Sequence, residues 1–458
     1  MSRLSFPGGF LWGAATSAYQ IEGAASEAGR GESIWDRACK TPGAISDGST
    51  GQVACDHYHR WQEDVLLMKE LGLKAYRFSV GWSRVMPRGR GAPNPRGLDF
   101  YDALVDLLLQ AGIRPFVTLN HWDLPQTLQD EGGWPARATC AAFVEYAEAV
   151  ARRLGDRVKD WTTHNEPWCV AHLGYQSGDH APNLHDAKAS LRAAHHLLLS
   201  HGQAIPVIRQ HAPGARIGIV LIHVPVYAAS ASAADQDAAR RVDGFMNRWY
   251  LDPLYRGSYP ADAVADRISW GDLSSEELPF VEPGDMQLIA APTDYLGFNY
   301  YSRAVARSDK LPEGKNAPRT VFEAPPEART EMGWEVYPQG LYDAVMRLKR
   351  DYNPSVLHLT ECGAAFPDLP ESDGRVVDTR RVDFLRGYIR EAHRAIEAGA
   401  PLQSFFVWSL LDNFEWQHGY TKRFGLARVD YSTLQRTPKD SFRWYREVVA
   451  ANAVDDGA

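Results

Sequence analysis

Short runs rich in β-branched and aromatic residues recur along the chain. Between them, apolar residues fall three or four positions apart. The runs predict strands over residues 10–15, 75–80, 114–119, 160–165, 216–222, 294–300, 356–361 and 403–410. Arg216-Ile217-Gly218-Ile219-Val220-Leu221-Ile222 is almost continuously apolar, as a strand covered on both faces should be. The intervening pattern is helical. From Leu98 onward, Tyr101, Leu104, Val105, Leu108 and Leu109 share one stripe, and Gly112 follows. A second helix runs from Trp61 to Leu71 and stops at Gly72. Phe143, Ala147 and Val150 line a third before Gly155, and a fourth runs from Arg381 to Gly399.

Eight strands with helices between them predict a parallel sheet. Eight is also the number that closes a (β/α) barrel. A doubly wound open sheet is the rival, but no glycine-rich dinucleotide fingerprint follows the first strand. The expectation is therefore an α/β chain forming a single (β/α)8 TIM barrel over residues 1–458. A barrel core takes ~250 residues, which leaves about 200 for elaborated βα loops. No linker, charge run or internal repeat divides the chain. Segment 303–335, polar and rich in proline, is expected to be a long surface loop.

Composition narrows the function only coarsely. The net charge is −8, with no block of like charge. That argues against a nucleic-acid footprint or an anionic-membrane binder. No run of eighteen apolar residues exists, so no transmembrane helix is expected. Residues 1–10 lack a basic region followed by an apolar stretch, which points to a cytoplasmic protein. The five cysteines (39, 55, 140, 169, 362) include no CxxC pair. Free thiols in a reducing compartment fit better than a disulfide framework. The 14 tryptophans and 20 tyrosines suit either core filling or a pocket of rings for sugars, and composition alone favours the core.

In a barrel, the C-terminal strand ends carry the chemistry. Those ends offer Gln20-Ile21-Glu22, Arg77, Asn120-His121-Trp122-Asp123, Asn165-Glu166, Asn299-Tyr300-Tyr301, Glu361 and Trp408, with Glu415-Trp416 just beyond. Taken singly, each has a plain structural explanation. A glutamate after a strand is commonly a solvated loop residue or a helix N-terminal charge. Taken together, the carboxylates, amides, imidazole and indoles suit a polyhydroxylated ligand. Glu166 and Glu361 each close a strand-like run, and two carboxyls are the minimum equipment for acid/base and nucleophilic chemistry at an acetal carbon.

The motifs Ser17-Ala18-Tyr19-Gln20-Ile21-Glu22-Gly23, Asn120-His121-Trp122-Asp123-Leu124-Pro125 and Thr163-His164-Asn165-Glu166-Pro167 are long and in order. So are Phe298-Asn299-Tyr300-Tyr301 and Trp408-Ser409-Leu410-Leu411-Asp412-Asn413-Phe414-Glu415-Trp416. From about residue 6 to 447 the chain resembles family 1 glycoside hydrolases, chiefly β-glucosidases. The resemblance implies retaining hydrolysis of terminal β-D-glucosyl residues, extending to β-galactosides and β-fucosides, with no cofactor and no metal. Small β-glycosides or short oligosaccharides would be the partners, with no nucleic acid or membrane involved; oligomeric state stays open. Carried over, Glu166 is the general acid/base and Glu361 the nucleophile, supported by Arg77 and Tyr301. Gln20, His121, Asn165, Glu415 and Trp416 would hold sugar hydroxyls. Asn299 would help hold the site together, and Trp408 would form its floor. Trp334 would stand beside the leaving group, with Trp122 and Phe424 completing the pocket. The negative Glu361 is expected to raise the pKa of Glu166. Pro167 is expected to bias Glu166 away from helical backbone angles.

One departure stands beside the nucleophile. Relatives usually carry Glu-Asn-Gly, whereas this chain has Glu361-Cys362-Gly363. A thiol cannot replace the amide's hydrogen bonds, although the asparagine is not a catalytic group. Cys362 as nucleophile lacks an obvious activating group. Asp56-His57-Tyr58-His59 invites a metal reading, but its two histidines, just before a helix, are poorly spaced for a tetrahedral site. His195-His196 reads as a helix pair used for surface or packing. Among functional rivals, the 6-phospho-β-glycosidase pattern has Ser at position 415, Lys at 422 and Tyr at 424. Here only Lys422 matches, since Glu415 and Phe424 stand at the other two. A catalytically silent sugar-binding protein would need neither carboxylate.

Overall fold

The computed structural model describes residues 3–308, 321 and 323–456. Eight strands form a closed parallel barrel: β1 (Leu11–Ala15), β2 (Ala75–Ser79), β3 (Arg114–Asn120), β4 (Asp160–Asn165), β5 (Arg216–Ile222), β6 (Tyr295–Asn299), β7 (Leu357–Cys362) and β8 (Leu402–Trp408). Each strand pairs with the next, and β8 returns to β1 with Phe405 opposite Trp12 and Trp408 opposite Ala15. The expected (β/α)8 fold is what forms. The strands β2, β4, β6 and β7 are buried along their whole length. Helices cover one face and the barrel lumen the other, so no polar alternation is needed.

The covering layer includes α1 (His57–Leu71), α2 (Pro95–Gln110), α3 (Ala138–Leu154), α4 (Ala187–His211), α5 (Gln339–Tyr352), α6 (Thr379–Glu397) and α7 (Asp440–Ala451). On α2 the stripe Tyr101, Leu104, Val105 and Leu108 is buried, but Leu109 falls off that face and is 40% exposed. Helix α1 begins a turn earlier than its apolar pattern shows, so His57 and His59 lie inside it. His57 pairs with Asp64 at 2.7 Å and His59 with Asp56 at 2.6 Å. His195 and His196 on α4 are packing residues: one meets Asp285 at 2.9 Å, the other the Trp134 carbonyl at 2.9 Å. The glycines after α1 and α3 serve different ends. Gly72 takes φ of 78°, a left-handed helix stop. Gly155 stays right-handed at −69°, and a side chain there would meet the His211 carbonyl at 2.4 Å.

The two barrel mouths differ in chemistry. At the N-terminal end, Asp160 accepts two bonds from Arg114, at 2.5 and 2.7 Å, and two from Arg216, at 2.8 and 3.0 Å. These residues open β3, β4 and β5 and tie the strand starts together. Inside the barrel the rings of Phe116 and Phe406 meet at 5.0 Å. The opposite end carries the long loops and the main cavity. Segment 303–335 is less of a surface loop than its composition suggests. Ala304–Ala306 forms a buried strand parallel to Val226–Ala228, and Glu335 is buried against Arg303 at 2.8 and 3.0 Å. Positions 309–320 and 322 of that segment lie outside the described residues.

Candidate active site

A cavity of about 280 Å³ opens at the C-terminal ends of the strands. Glu166, Glu361, Glu415, His121, Trp122, Tyr301, Trp334, Trp408, Trp416 and Phe424 line it. Ten of the expected site residues are thus brought together, from the ends of β7 and β8 and the loops after β3, β4, β6 and β8. Gln20, Arg77, Asn165 and Asn299 stand behind the wall. Gln20 lies past β1, on the short helix Ala18–Ile21. Its amide donates to Asn413 at 3.0 Å, to the Phe414 carbonyl at 2.9 Å and to Glu415 at 3.5 Å. It therefore holds the loop that carries Glu415.

Glu361 ends β7 with both oxygens occupied. Arg77 donates to Oε1 at 2.5 Å and Tyr301 to Oε2 at 2.6 Å. These donors favour the ionised carboxylate, while burial opposes them more strongly and leaves the carboxyl above its ordinary range. Glu166 follows β4. Asn299 donates to its Oε1 at 2.7 Å and the Cys169 thiol to its Oε2 at 3.1 Å. Among the described residues it has no arginine or tyrosine donor of its own. Burial first, then the charge of Glu361, pushes Glu166 up to about 8. Electrostatic repulsion from the partner carboxylate, expected as the cause, is thus the second one. The asymmetry of donors makes Glu361 the carboxyl that ionises and Glu166 the one that keeps a proton. Burial, with the charges of Glu361 and Glu166, also raises Glu415 to about 8.

Asn165 joins the network around the two carboxyls. Its Oδ1 accepts from Arg77 at 2.7 Å and Asn299 at 3.1 Å, and its Nδ2 donates to His121 Nε2 at 3.1 Å. Because Nε2 accepts, the neutral His121 ring carries its proton on Nδ1, which has no hydrogen-bond partner among the described residues. Burial holds that ring neutral, well below its usual pKa. The indole of Trp122 donates to the Asn165 carbonyl at 2.9 Å and packs on Trp416 at 4.7 Å. Tyr301, Trp334 and Phe424 form a second aromatic group, with Tyr301–Trp334 centroids at 5.2 Å. Trp122, Glu166 and Trp416 all have positive φ, at 78°, 49° and 50°. Non-glycine residues seldom adopt this conformation, and it concentrates where side chains must be aimed. Pro167 does accompany a departure from right-handed helical angles at Glu166, and the residue goes to positive φ rather than the extended region.

Cys362 is buried in the core and lies outside the cavity lining, and burial alone pushes its thiol well up. That excludes it as the reacting group. Its neighbour matters more sterically: a Cβ on Gly363 would lie 1.7 Å from the Trp408 carbonyl oxygen. Gly363→Ala is expected to cost about 1–3 kcal/mol through overpacking and to displace the β7 and β8 ends. A lower denaturation midpoint, together with a loss of activity at temperatures where the variant stays folded, checks this.

Strand-end reasoning missed part of the wall. Trp168, Cys169, Leu173 and His180 belong to the loop after β4, where Cys169–Ser177 forms a π-helix. Such helices are rare and recur at functional sites. Ile222, Val224, Met246 and Met332 add an apolar side. No spacing rule marks these residues in advance. The one available signal was the run of aromatic and thiol residues directly after Pro167.

Comparison with known proteins agrees with this geometry. The model of glycosyl hydrolase family 1 matches residues 2–454. Beta-glucosidase A of Acetivibrio thermocellus is 49% identical over 452 residues, covering 99% of this chain and 100% of its own. A bifunctional beta-D-glucosidase/beta-D-fucosidase of Bifidobacterium breve is 46% identical, over 97% and 98% of the two chains. The solved family 1 β-glucosidase from Thermotoga maritima superposes with a TM-score of 0.94 at 44% identity, covering 100% of both chains. With the family profile spanning the whole barrel and its loops, the chain belongs to glycosyl hydrolase family 1.

Proposed function

We propose that this enzyme removes terminal non-reducing β-D-glucosyl residues by double displacement, with Glu361 as nucleophile and Glu166 as acid/base. The Glu361 carboxylate attacks C1 while the bond from C1 to the leaving oxygen breaks and Glu166 gives that oxygen its proton. A glucosyl ester of Glu361 results. Its formation removes one negative charge beside Glu166, whose pKa falls by the part owed to that charge. Glu166 then takes a proton from water as the water oxygen bonds to C1, freeing glucose and Glu361.

The observation that carries this reading is the unequal set of donors on the two carboxyls. Arg77 and Tyr301 hold Glu361, whereas Glu166 meets the Asn299 amide and the Cys169 thiol. The Asn299 oxygen is occupied by Thr360 at 2.7 Å, so its nitrogen is what faces Glu166. A retaining pair lies about 5–5.5 Å apart, close enough for direct attack. Inverting pairs need ~6.5–9.5 Å for their water. Proton NMR of early hydrolysis of p-nitrophenyl β-D-glucoside should therefore show β-glucose first. α-Glucose as first product would overturn the mechanism.

The charge-free indole, thioether and aliphatic groups beside Trp334 suit aryl, alkyl or short β-linked glucosyl leaving groups. β-Galactosides, which differ from glucosides only at C4, and β-D-fucosides, which differ at C4 and C6, are proposed as further substrates. A panel of p-nitrophenyl glycosides with cellobiose to cellotetraose measures that breadth. The 6-phospho reading is not favoured. Glu415 adds a third carboxyl to the cavity, and Lys422 is engaged by the Glu331 carbonyl at 2.9 Å. A 6-phosphorylated aryl glucoside should be a far poorer substrate than the plain one. We take residues 1–458 as one catalytic domain: Arg3–Ser5 pairs with Ala453–Asp455, which ties the two ends of the chain together. Five unpaired cysteines support a reducing, cytoplasmic setting.

A further inference from the structure

We propose that Cys169 is a positioning residue for Glu166, a weak donor that holds the acid/base carboxyl in place and favours its ionised form. The contact is built into the local fold. The chain turns at Glu166 with positive φ, and the Glu166 carbonyl accepts from the backbone N–H of Cys169 at 2.9 Å. This turn carries the thiol back over the carboxyl of Glu166, where Sγ lies 3.1 Å from Oε2. Cys169 is buried yet forms part of the cavity wall, so the contact lies where the leaving oxygen must receive its proton.

The two oxygens of Glu166 have unequal donors. Oε1 meets the Asn299 amide, whose orientation is locked by Thr360. An amide nitrogen can only donate. Oε2 meets a thiol, a weak donor that can rotate its hydrogen away or act as a weak acceptor. The proton of the acid form therefore sits on Oε2. After that proton leaves, the thiol hydrogen turns to the new carboxylate, and a bond to a charged acceptor is stronger than one to a neutral group. Burial and the nearby carboxylates keep the Cys169 thiol protonated, so it remains a donor. The other groups acting on Glu166 are Glu361, which raises its pKa, and Arg77, which lowers it. Glu415 and the Tyr301 hydroxyl also face it across the cavity. Cys169 is the donor to Glu166 that neither Glu361 nor Asn165 shares.

The role rests on Glu166 being the acid/base, and one experiment separates the two claims. The basic limb of kcat/KM against pH is measured with phenyl β-D-glucoside for wild type, Cys169→Ala, Cys169→Ser and Glu166→Ala. Losing the thiol donor should move the limb of Cys169→Ala up by about 0.5–1 unit. The stronger hydroxyl donor should return the limb of Cys169→Ser to the wild-type position or below it. A merely structural cysteine would lower rates without producing this order. Superimposed limbs in wild type and both cysteine variants, with no limb in Glu166→Ala, overturn the Cys169 role alone. A limb that persists in Glu166→Ala overturns the acid/base assignment and the Cys169 role with it.

Discussion

Replacing Glu361 with alanine should cut kcat on aryl β-glucosides by roughly 10⁶-fold, the scale seen when a covalent nucleophile is removed. The loss should be chemical rather than structural. Arg77 keeps its bond to Asn165 at 2.7 Å, and the Tyr301 hydroxyl borders the cavity. Azide can enter the space the carboxylate leaves and attack C1 from the same face. One displacement replaces two, so the product should be an α-glucosyl azide. Glu166 should titrate lower in this variant, because one of the two causes of its raised pKa has gone. Stopped assays with and without azide, and NMR of the product, test this together. Wild-type turnover in Glu361→Ala would remove the nucleophile assignment.

Replacing Glu166 with alanine should separate substrates by leaving group. A positioned acid contributes about 10²–10⁴-fold, and only leaving groups that need a proton feel its loss. Phenyl and alkyl glucosides should lose that factor in kcat/KM, and 2,4-dinitrophenyl glucoside far less. Azide should now yield a β-glucosyl azide, since the Glu361 ester still forms first. The pH profile supplies the sign. As the proposed acid, Glu166 would act in its protonated form, and burial with the Glu361 charge raises its pKa to about 8. Wild-type kcat/KM should therefore hold through neutral pH and fall as pH rises through about 8. In Glu166→Ala that fall should disappear. A wild-type profile already falling near the ordinary carboxylate range would show that burial does not raise Glu166 in this way.

The barrel and most of its chemistry could be read from the chain because the relevant information is local. A strand covered on both sides can run apolar without alternation, as in Ile217 to Leu221. The barrel's C-terminal ends point at one mouth, so a polar residue at such an end is a site candidate before any contact is known. Glu166, Glu361, His121 and Trp408 were accessible this way, and Leu109 was misplaced because one position on a helix edge decides burial. Tertiary structure alone decided what each group touches. Gln20 holds the Glu415 loop, Asn165 bonds Arg77, Asn299 and His121, and Cys169 reaches Glu166 through a π-helix no periodicity announces. The chain thus determined which two carboxyls would meet. Which of them keeps its proton depended on burial and donors that arrive from other strands, because desolvation and hydrogen bonding act through space and not along the sequence.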